Sequence, residues 1–201
     1  AIIDPELMTS VPASVTAATG FDAFTHAFES YLGGRTSPLT RQMSLEAIQL
    51  VIENLPRAIQ QPKNIEYRTQ LAWADTLAGM CLSNGGADLP HPLGEIIGGI
   101  CPRIAHGETL AMVYPSFLEY KKNIAPDKFK EIASFLGLKK DPDQLNLKIE
   151  ELLKITELSN ASKRAELTKE EKDEILTHPL LSKLEPKNSS EIIAIMEESI
   201  I

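Results

Sequence analysis

The sequence is poor in aromatic residues, at 5% of 201 positions, and has only two cysteines. So few large rings fit a protein packed from Leu, Ile and Ala side chains on helices better than a sandwich of sheets. Cys81 and Cys101 stand twenty apart and match no metal-binding or redox spacing, so both are expected to be buried free thiols of a reducing compartment. No apolar run is long enough to span a bilayer and no signal sequence is visible, so the chain reads as cytoplasmic, without a membrane partner. It also lacks positive charge. With a net charge of −8 it is no general nucleic-acid binder, and the pairs Lys121-Lys122 and Lys139-Lys140 are expected on solvated faces. No stretch alternates with period two for long enough to make a sheet, and no glycine-rich phosphate loop follows a strand.

What remains is helical, and the fold class read from it is all-α. A hydrophobic fraction of 43% with 24% charged residues can bury a real core. Ser37-Pro38 supplies a cap and a first-turn proline for a helix expected to stop just before Pro56. "IEYRTQLAWADTLAGMCLS" is expected to be a helix buried on most sides. "DKFKEIASFLG" reads as a helix capped by Asp127 and stopped by Gly137, and "PDQLNLKIEELLKITEL" and "SSEIIAIMEES" continue the pattern. The segment "SNASKRAELTKEEKDEILTHPLLSKLEPKN" is charged, loosely patterned and expected at the surface. The stretch from Ser83 to Gly107 carries five glycines before its last residue and three prolines, yet its Leu89, Leu93, Ile96, Ile97 and Ile100 require burial. Its glycines are expected to let backbones approach closely or turn around something. The opening "AIIDPEL" resembles the tail of a strand or a linker, so the chain is expected to be part of a longer protein.

Three of the four histidines sit in the least ordinary segments. Asp22 and His26 are one turn apart in "TGFDAFTHAFESYLGG", which reads as an amphipathic helix, so both side chains share a face. His91 lies between two prolines at the start of a short apolar helix, with Glu95 one turn further on. His106 precedes Gly107 and the first turn of another helix. One Asp and three His make a ligand set suited to Zn²⁺, Fe²⁺ or Ni²⁺ with room for a substrate oxygen. The same spacings also describe a surface ion pair, a cap and a turn. His178, in the charged segment, is read as a surface residue.

The run "DPELMTSVPASVTAATGFDAFTHAFESYLG" resembles the opening of the C-terminal helical domain of the iron-containing (group III) alcohol dehydrogenases, whose pattern is D-P-x-L … P … T-A-x-T-G-x-D-A-x-x-H-x-x-E. "HPLGEIIGGICPRIAHGETLAMVYP" resembles that family's histidine- and glycine-rich segment, and the two together cover about residues 1 to 118. The resemblance implies a single helical metal-binding and substrate domain over residues 1–201, with 1–10 the remnant of a junction to a nucleotide-binding α/β domain. It implies an NAD(P)-dependent alcohol dehydrogenase in which a divalent cation, Fe²⁺ by family name with Zn²⁺ or another divalent ion as alternatives, polarises the oxygen of an alcohol or aldehyde substrate. Without its nucleotide domain the fragment is expected to be inactive. The implied metal ligands are Asp22, His26, His91 and His106; the implied cofactor contacts are Leu7, Met8 and Thr9. Family members commonly assemble, so a homo-oligomer is in keeping with the resemblance.

One departure affects His91. A literal match of H-P-L-G makes it the residue beside the nicotinamide, leaving Ala87 at a ligand position with Asp88 as a substitute. The preferred register makes His91 the first ligand of the segment, needs one inserted residue before His106 and puts Glu95 beside the nicotinamide, as a proton relay or orienting group. It keeps all four ligands. Glu29, three residues past His26, is a candidate carboxylate partner for a ligand imidazole. Rival readings are a glycerol dehydrogenase or dehydroquinate synthase of the same plan, and a helical module without catalysis.

Overall fold

A computed structural model describes residues 2–184 and 189–201, the side chain of residue 189 excepted. The described residues contain helices and no strand: α1 (Ala13–Leu32), α2 (Pro38–Gln60), α3 (Ile65–Gly85), α4 (Pro90–Ile100), α5 (His106–Ile124), α6 (Pro126–Phe135), α7 (Pro142–Ile155), α8 (Ala161–Ala165), α9 (Lys169–Leu176) and α10 (Ser189–Ser199). Short 3₁₀ turns occupy Pro5–Ser10, Leu158–Asn160 and Leu181–Lys183. Helices α1, α2 and α3 pack on one another, α5 lies against α1, and α4 and α10 lie against α5.

The few aromatics are spent at the centre of this arrangement. Phe21, Phe24 and Phe28 of α1 stack along one side, with ring centroids 5.7 and 5.4 Å apart, and Tyr114 of α5 meets Phe21 edge-on at 5.1 Å. All four are sealed from solvent, and burial of each phenylalanine contributes about 1.5–3 kcal/mol. Helix α1 is therefore not the amphipathic surface helix its spacing suggests. Nearly every residue of its second half is buried, Glu29 and Ser30 included.

Several helix boundaries differ from the sequence expectation, each for a local reason. Gly20, which propensity alone reads as the stop of one helix ahead of the one carrying Asp22 and His26, does not separate two helices. It lies inside α1, where an added Cβ would stand 2.4 Å from Leu55 Cδ1, so its missing side chain is the space α2 packs into. Helix α2 passes through Pro56 to Gln60, because Leu55 and Ala58 on either side of the proline are both buried and hold the chain helical. The cap of α6 is Ala125 rather than Asp127, which sits in the first turn behind Pro126. Helix α3 is not buried on most sides, since it packs on α1 and α2 by one face and leaves Ile65, Trp73 and Met80 nearly half exposed. The charged segment is anchored by Leu158, Ala161, Ala165, Ile175 and Leu181, while its last four residues, 185–188, lie outside the described ones. Cys81 and Cys101 are free and buried, as expected.

The N-terminal "DPEL" forms the first 3₁₀ turn, capped by Asp4 Oδ1 accepting from the Glu6 N–H at 3.0 Å. It is tied down by Arg68 of α3, which is buried at 3% exposure. The guanidinium donates to Thr16 Oγ1 at 2.7 Å, Pro62 O at 2.9 Å and Val11 O at 3.1 Å. The core is continuous from Ala17 to Ile200.

Candidate metal centre

Three segments remote in sequence meet beside the middle of α1. Asp22 and His26 project from its middle turns. His91 stands in the first turn of α4, whose start is fixed by two prolines and by Asp88: Asp88 Oδ1 accepts from the Leu89 N–H at 2.8 Å and Asp88 O from the His91 N–H at 3.3 Å. His106 opens α5, where Glu108 Oε2 accepts from the Ala105 N–H at 3.4 Å and the Thr109 hydroxyl donates to His106 O at 2.8 Å.

Gly107 explains why α5 begins where it does. A Cβ at this position would lie 2.0 Å from Ala18 O and 2.5 Å from Ala18 C, so only glycine lets α5 start directly against α1, one turn before Asp22. Gly94 does the same between α4 and α5, where a Cβ would meet Thr109 Oγ1 at 2.9 Å and Leu110 Cδ2 at 3.2 Å. The close approach expected of this segment's glycines holds at Gly85, Gly94 and Gly107, whereas a Cβ at Gly99 meets nothing within 4 Å.

The result is a convergence on one oxygen. Asp22 Oδ1 lies 3.4 Å from His26 Nε2, 3.6 Å from His91 Nε2 and 3.8 Å from His106 Nε2. At 3.6 Å the His91 contact is too long for a hydrogen bond, and both atoms of that pair are buried without a hydrogen-bond partner. The rings of His26 and His91 stack with centroids 4.7 Å apart, and His91 meets His106 at 5.5 Å. Two buried polar atoms facing each other unpaired is an expensive arrangement for a folded protein. Donors each about 2.0–2.2 Å from a shared tetrahedral cation stand roughly 3.3–3.6 Å apart, which is close to the spacings here. One donor atom from each of Asp22, His26 and His91 fits within 4.8 Å of the other two. His106 is the outlying member, with its side chain 43% exposed. The residues present fit a divalent cation.

Electrostatics in the cluster follow from burial and mutual proximity. Burial acts to raise the Asp22 carboxyl, but the approach of His91, His26 and His106 outweighs it and holds the group below the usual carboxylate range. His26 is lowered, first by burial, with Asp22 opposing. Burial raises the wholly enclosed Glu29 to about 7 even though His91 and the Asp88 N–H pull it down. For His91 burial acts downward, yet Asp22 and Glu29 prevail and lift it to about 9.

The remaining expected site residues are placed less decisively. Glu95 follows His91 by one turn on α4 but is solvent-exposed, with no hydrogen bond or ion pair among the described residues. Ala87 is exposed, and Asp88 turns away to pair with Lys121 Nζ at 2.5 Å. Lys121 is accordingly largely buried rather than on a solvated face. Leu7, Met8 and Thr9 lie in the first 3₁₀ turn: Leu7 is 75% exposed, the Thr9 hydroxyl donates to Glu6 O at 2.7 Å, and Met8 lines a cavity of about 290 Å³. Val15, Thr19, Ala23 and Asp75 line the same cavity. His178 stays outside the cluster, accepting from the Leu180 N–H at 3.4 Å.

One neighbour escaped the sequence reading. Asp75 of α3 acts electrostatically on both Asp22 and His26, and burial raises its own carboxyl. Nothing in an Ala-rich helix marks it. Glu29 was recognisable as a carboxylate partner, but it serves His91 rather than His26, with Nδ1 to Oε2 at 2.8 Å.

Residues 16–200 match the family model described as Fe-containing alcohol dehydrogenase family, C-terminal. The NAD-dependent methanol dehydrogenase of Bacillus methanolicus is 36% identical over 137 residues, covering 68% of this chain and 36% of that protein. The 1,3-propanediol dehydrogenase of Citrobacter freundii is 38% identical over 136 residues, covering 68% of this chain and 35% of that one. Among solved structures, a 1,3-propanediol oxidoreductase superposes with a TM-score of 0.86 at 28% identity over 98% of this chain and 54% of its own. The sulfoacetaldehyde reductase of Bifidobacterium kashiwanohense, solved with NAD⁺, gives 0.85 at 26% identity over 99% and 54%. The chain thus spans about a third of the curated relatives and half of these solved chains.

Proposed function

This chain belongs to the Fe-containing alcohol dehydrogenase family, and we propose that it is the metal-binding helical domain of an NAD(P)-dependent dehydrogenase acting on a small alcohol or aldehyde. In this reading Asp22, His26, His91 and His106 hold one divalent ion, and residues 1–10 form the junction to the nucleotide-binding part of the whole protein. The observation that carries it is the convergence of three imidazole Nε2 atoms on Asp22 Oδ1, with that oxygen and His91 Nε2 buried and unpaired.

A bound divalent cation supplies Lewis acidity that stabilises negative charge on a substrate oxygen. The chain's own residues do the rest. Asp22 contributes the one anionic ligand, and the three imidazoles fill neutral positions. The enclosed side is that of His91, with the wholly buried Glu29 behind it, and is shut off from water. The open side is that of His106. The cavity lined by Met8, Val15 and Asp75 borders the N-terminal turn and would receive part of a cofactor or substrate. Glu95, exposed one turn from His91, is the group left to exchange a proton with solvent. The donor set does not choose between iron and zinc, since zinc binds such sites more tightly and iron rests on the family alone.

The test is elemental analysis and Co²⁺ titration of the purified chain, with turnover of an alcohol series by the full-length protein with NAD⁺ and NADP⁺. One equivalent of metal in the wild type and its loss in His91→Ala are expected. Full metal occupancy in His91→Ala sinks the ligand set, and a full-length protein that binds metal without oxidising any alcohol sinks the reaction.

A further inference from the structure

Glu29 is the least accessible ionisable group near the cluster, with 0% exposure on the inner side of α1. Its two oxygens face three donors from two other helices and their approaches. Oε2 lies 2.8 Å from His91 Nδ1 and also accepts from the Asp88 N–H at 2.8 Å, where the chain turns into α4. The Tyr114 hydroxyl of α5 points to Oε1 at 3.5 Å. Asp88 is held in turn by Lys121, also of α5. The carboxylate therefore touches each of the helices that carry the ligand residues: it stands on α1 with Asp22 and His26, grips both the side chain of His91 and the backbone ahead of α4, and meets α5 through Tyr114.

We propose that Glu29 is a positioning residue that locks His91 in the Nδ1–H tautomer and clamps the start of α4 to α1, so that Nε2 presents its lone pair beside Asp22. This rests on the metal-binding reading above. The chemistry is that of donor and acceptor counts. An ionised carboxylate only accepts, so a neutral His91 must carry its hydrogen on Nδ1 and leave Nε2 free. Ligand imidazoles are commonly fixed in this way by a carboxylate or carbonyl. A glutamine of the same size has one accepting oxygen and a donating amide. Because one oxygen, Oε2, meets both the Asp88 N–H and His91 Nδ1, a glutamine that keeps its oxygen there preserves both contacts, whereas a leucine offers no acceptor and leaves the His91 tautomer unfixed. Burial makes the loss matter, because no water reaches this position to compensate.

The experiment uses the 201-residue chain, wild type, Glu29→Leu and the conservative Glu29→Gln, with Co²⁺ as the probe and far-UV circular dichroism as the folding control. Nitrogen-15 NMR of the metal-free chain, at a pH where the His91 ring is neutral, reads the tautomer directly. The wild type is expected to show Nδ1–H; Glu29→Leu is expected to lose that fixed tautomer and to bind Co²⁺ roughly 10- to 100-fold more weakly, and Glu29→Gln to retain both. A folded Glu29→Leu chain with wild-type tautomer and affinity overturns the proposal. So does a wild-type His91 protonated on Nε2, a result that decides the matter even if Glu29→Leu fails to fold. A wild type that takes up no Co²⁺ defeats the metal reading instead, while the tautomer measurement still reports on Glu29.

Discussion

Replacing Gly107 with alanine puts one methyl group where α5 begins against α1. The new Cβ would sit 2.0 Å from Ala18 O, 2.5 Å from its C and 2.8 Å from its Cα. An ordinary carbon–carbon contact needs about 3.5 Å, so the two backbones must separate by roughly 1 Å. No side-chain rotation relieves this, because all three obstacles are main-chain atoms. Overpacking of this kind destabilises by about 1–3 kcal/mol. The intrinsic preference of a helix for alanine returns less than ~1 kcal/mol of that. At ~2–4 °C per kcal/mol for a chain of this size, the melting temperature should fall by about 5 °C. The larger effect is on metal. His106 Nε2 already stands 3.8 Å from Asp22 Oδ1, the longest of the three spacings. A 1 Å retreat exceeds the ~0.2 Å tolerance of a ligand distance, so Co²⁺ affinity should drop at least about tenfold. Gly79→Ala in α3 is the control: a Cβ there meets nothing within 4 Å, and the same substitution should stabilise by ~0.4–1 kcal/mol. Calorimetry and Co²⁺ titration of the two variants decide it. Wild-type melting and metal affinity in Gly107→Ala would refute the reasoning.

Three further outcomes are expected. Zn²⁺ at a hundred times its dissociation constant should stabilise the chain by about 2.7 kcal/mol, reversed by chelator and absent in His26→Ala; equal shifts in both proteins would point to adventitious binding. In chelator, stability should decline as pH rises. His91 is raised from its unfolded value of 6.5 to about 9 and Glu29 from 4.5 to about 7, so the folded state holds extra protons across these windows. The His91 contribution is fully present below 6.5 and gone above about 9, a loss of up to roughly 3 kcal/mol; urea midpoints at both ends, compared with His91→Asn, measure it, and a flat profile contradicts the assignment. Arg68→Met strips Thr16 Oγ1, Pro62 O and Val11 O of their shared donor and should destabilise by about 2–4 kcal/mol. Arg68→Lys should not rescue it, because an ammonium cannot reproduce the planar fork; full recovery with lysine would show the contribution to be charge alone.

Much of this molecule follows from local rules that any stretch of chain obeys. The all-α class, the cap at Ser37 and the proline behind it, the buried thiols and the burial of Leu89, Leu93, Ile96 and Ile97 are all consequences of composition, periodicity and capping. The pairing of Asp22 with His26 is equally local, a matter of helical pitch. The family motifs singled out His91 and His106 as their companions, and only the motifs could, because no periodicity links positions more than sixty residues apart. Tertiary structure decided the rest. Where His91 stands follows from how α4 leaves Asp88, and there Glu29, a residue on another helix, meets both the Asp88 N–H and His91 Nδ1. Gly20 reads as a helix break from propensity alone, but the packing of Leu55 makes it a point of close approach. The same physics underlies Gly107. A glycine's local preferences are permissive, so its meaning comes from whatever backbone stands opposite, and that information is absent until the helices are assembled.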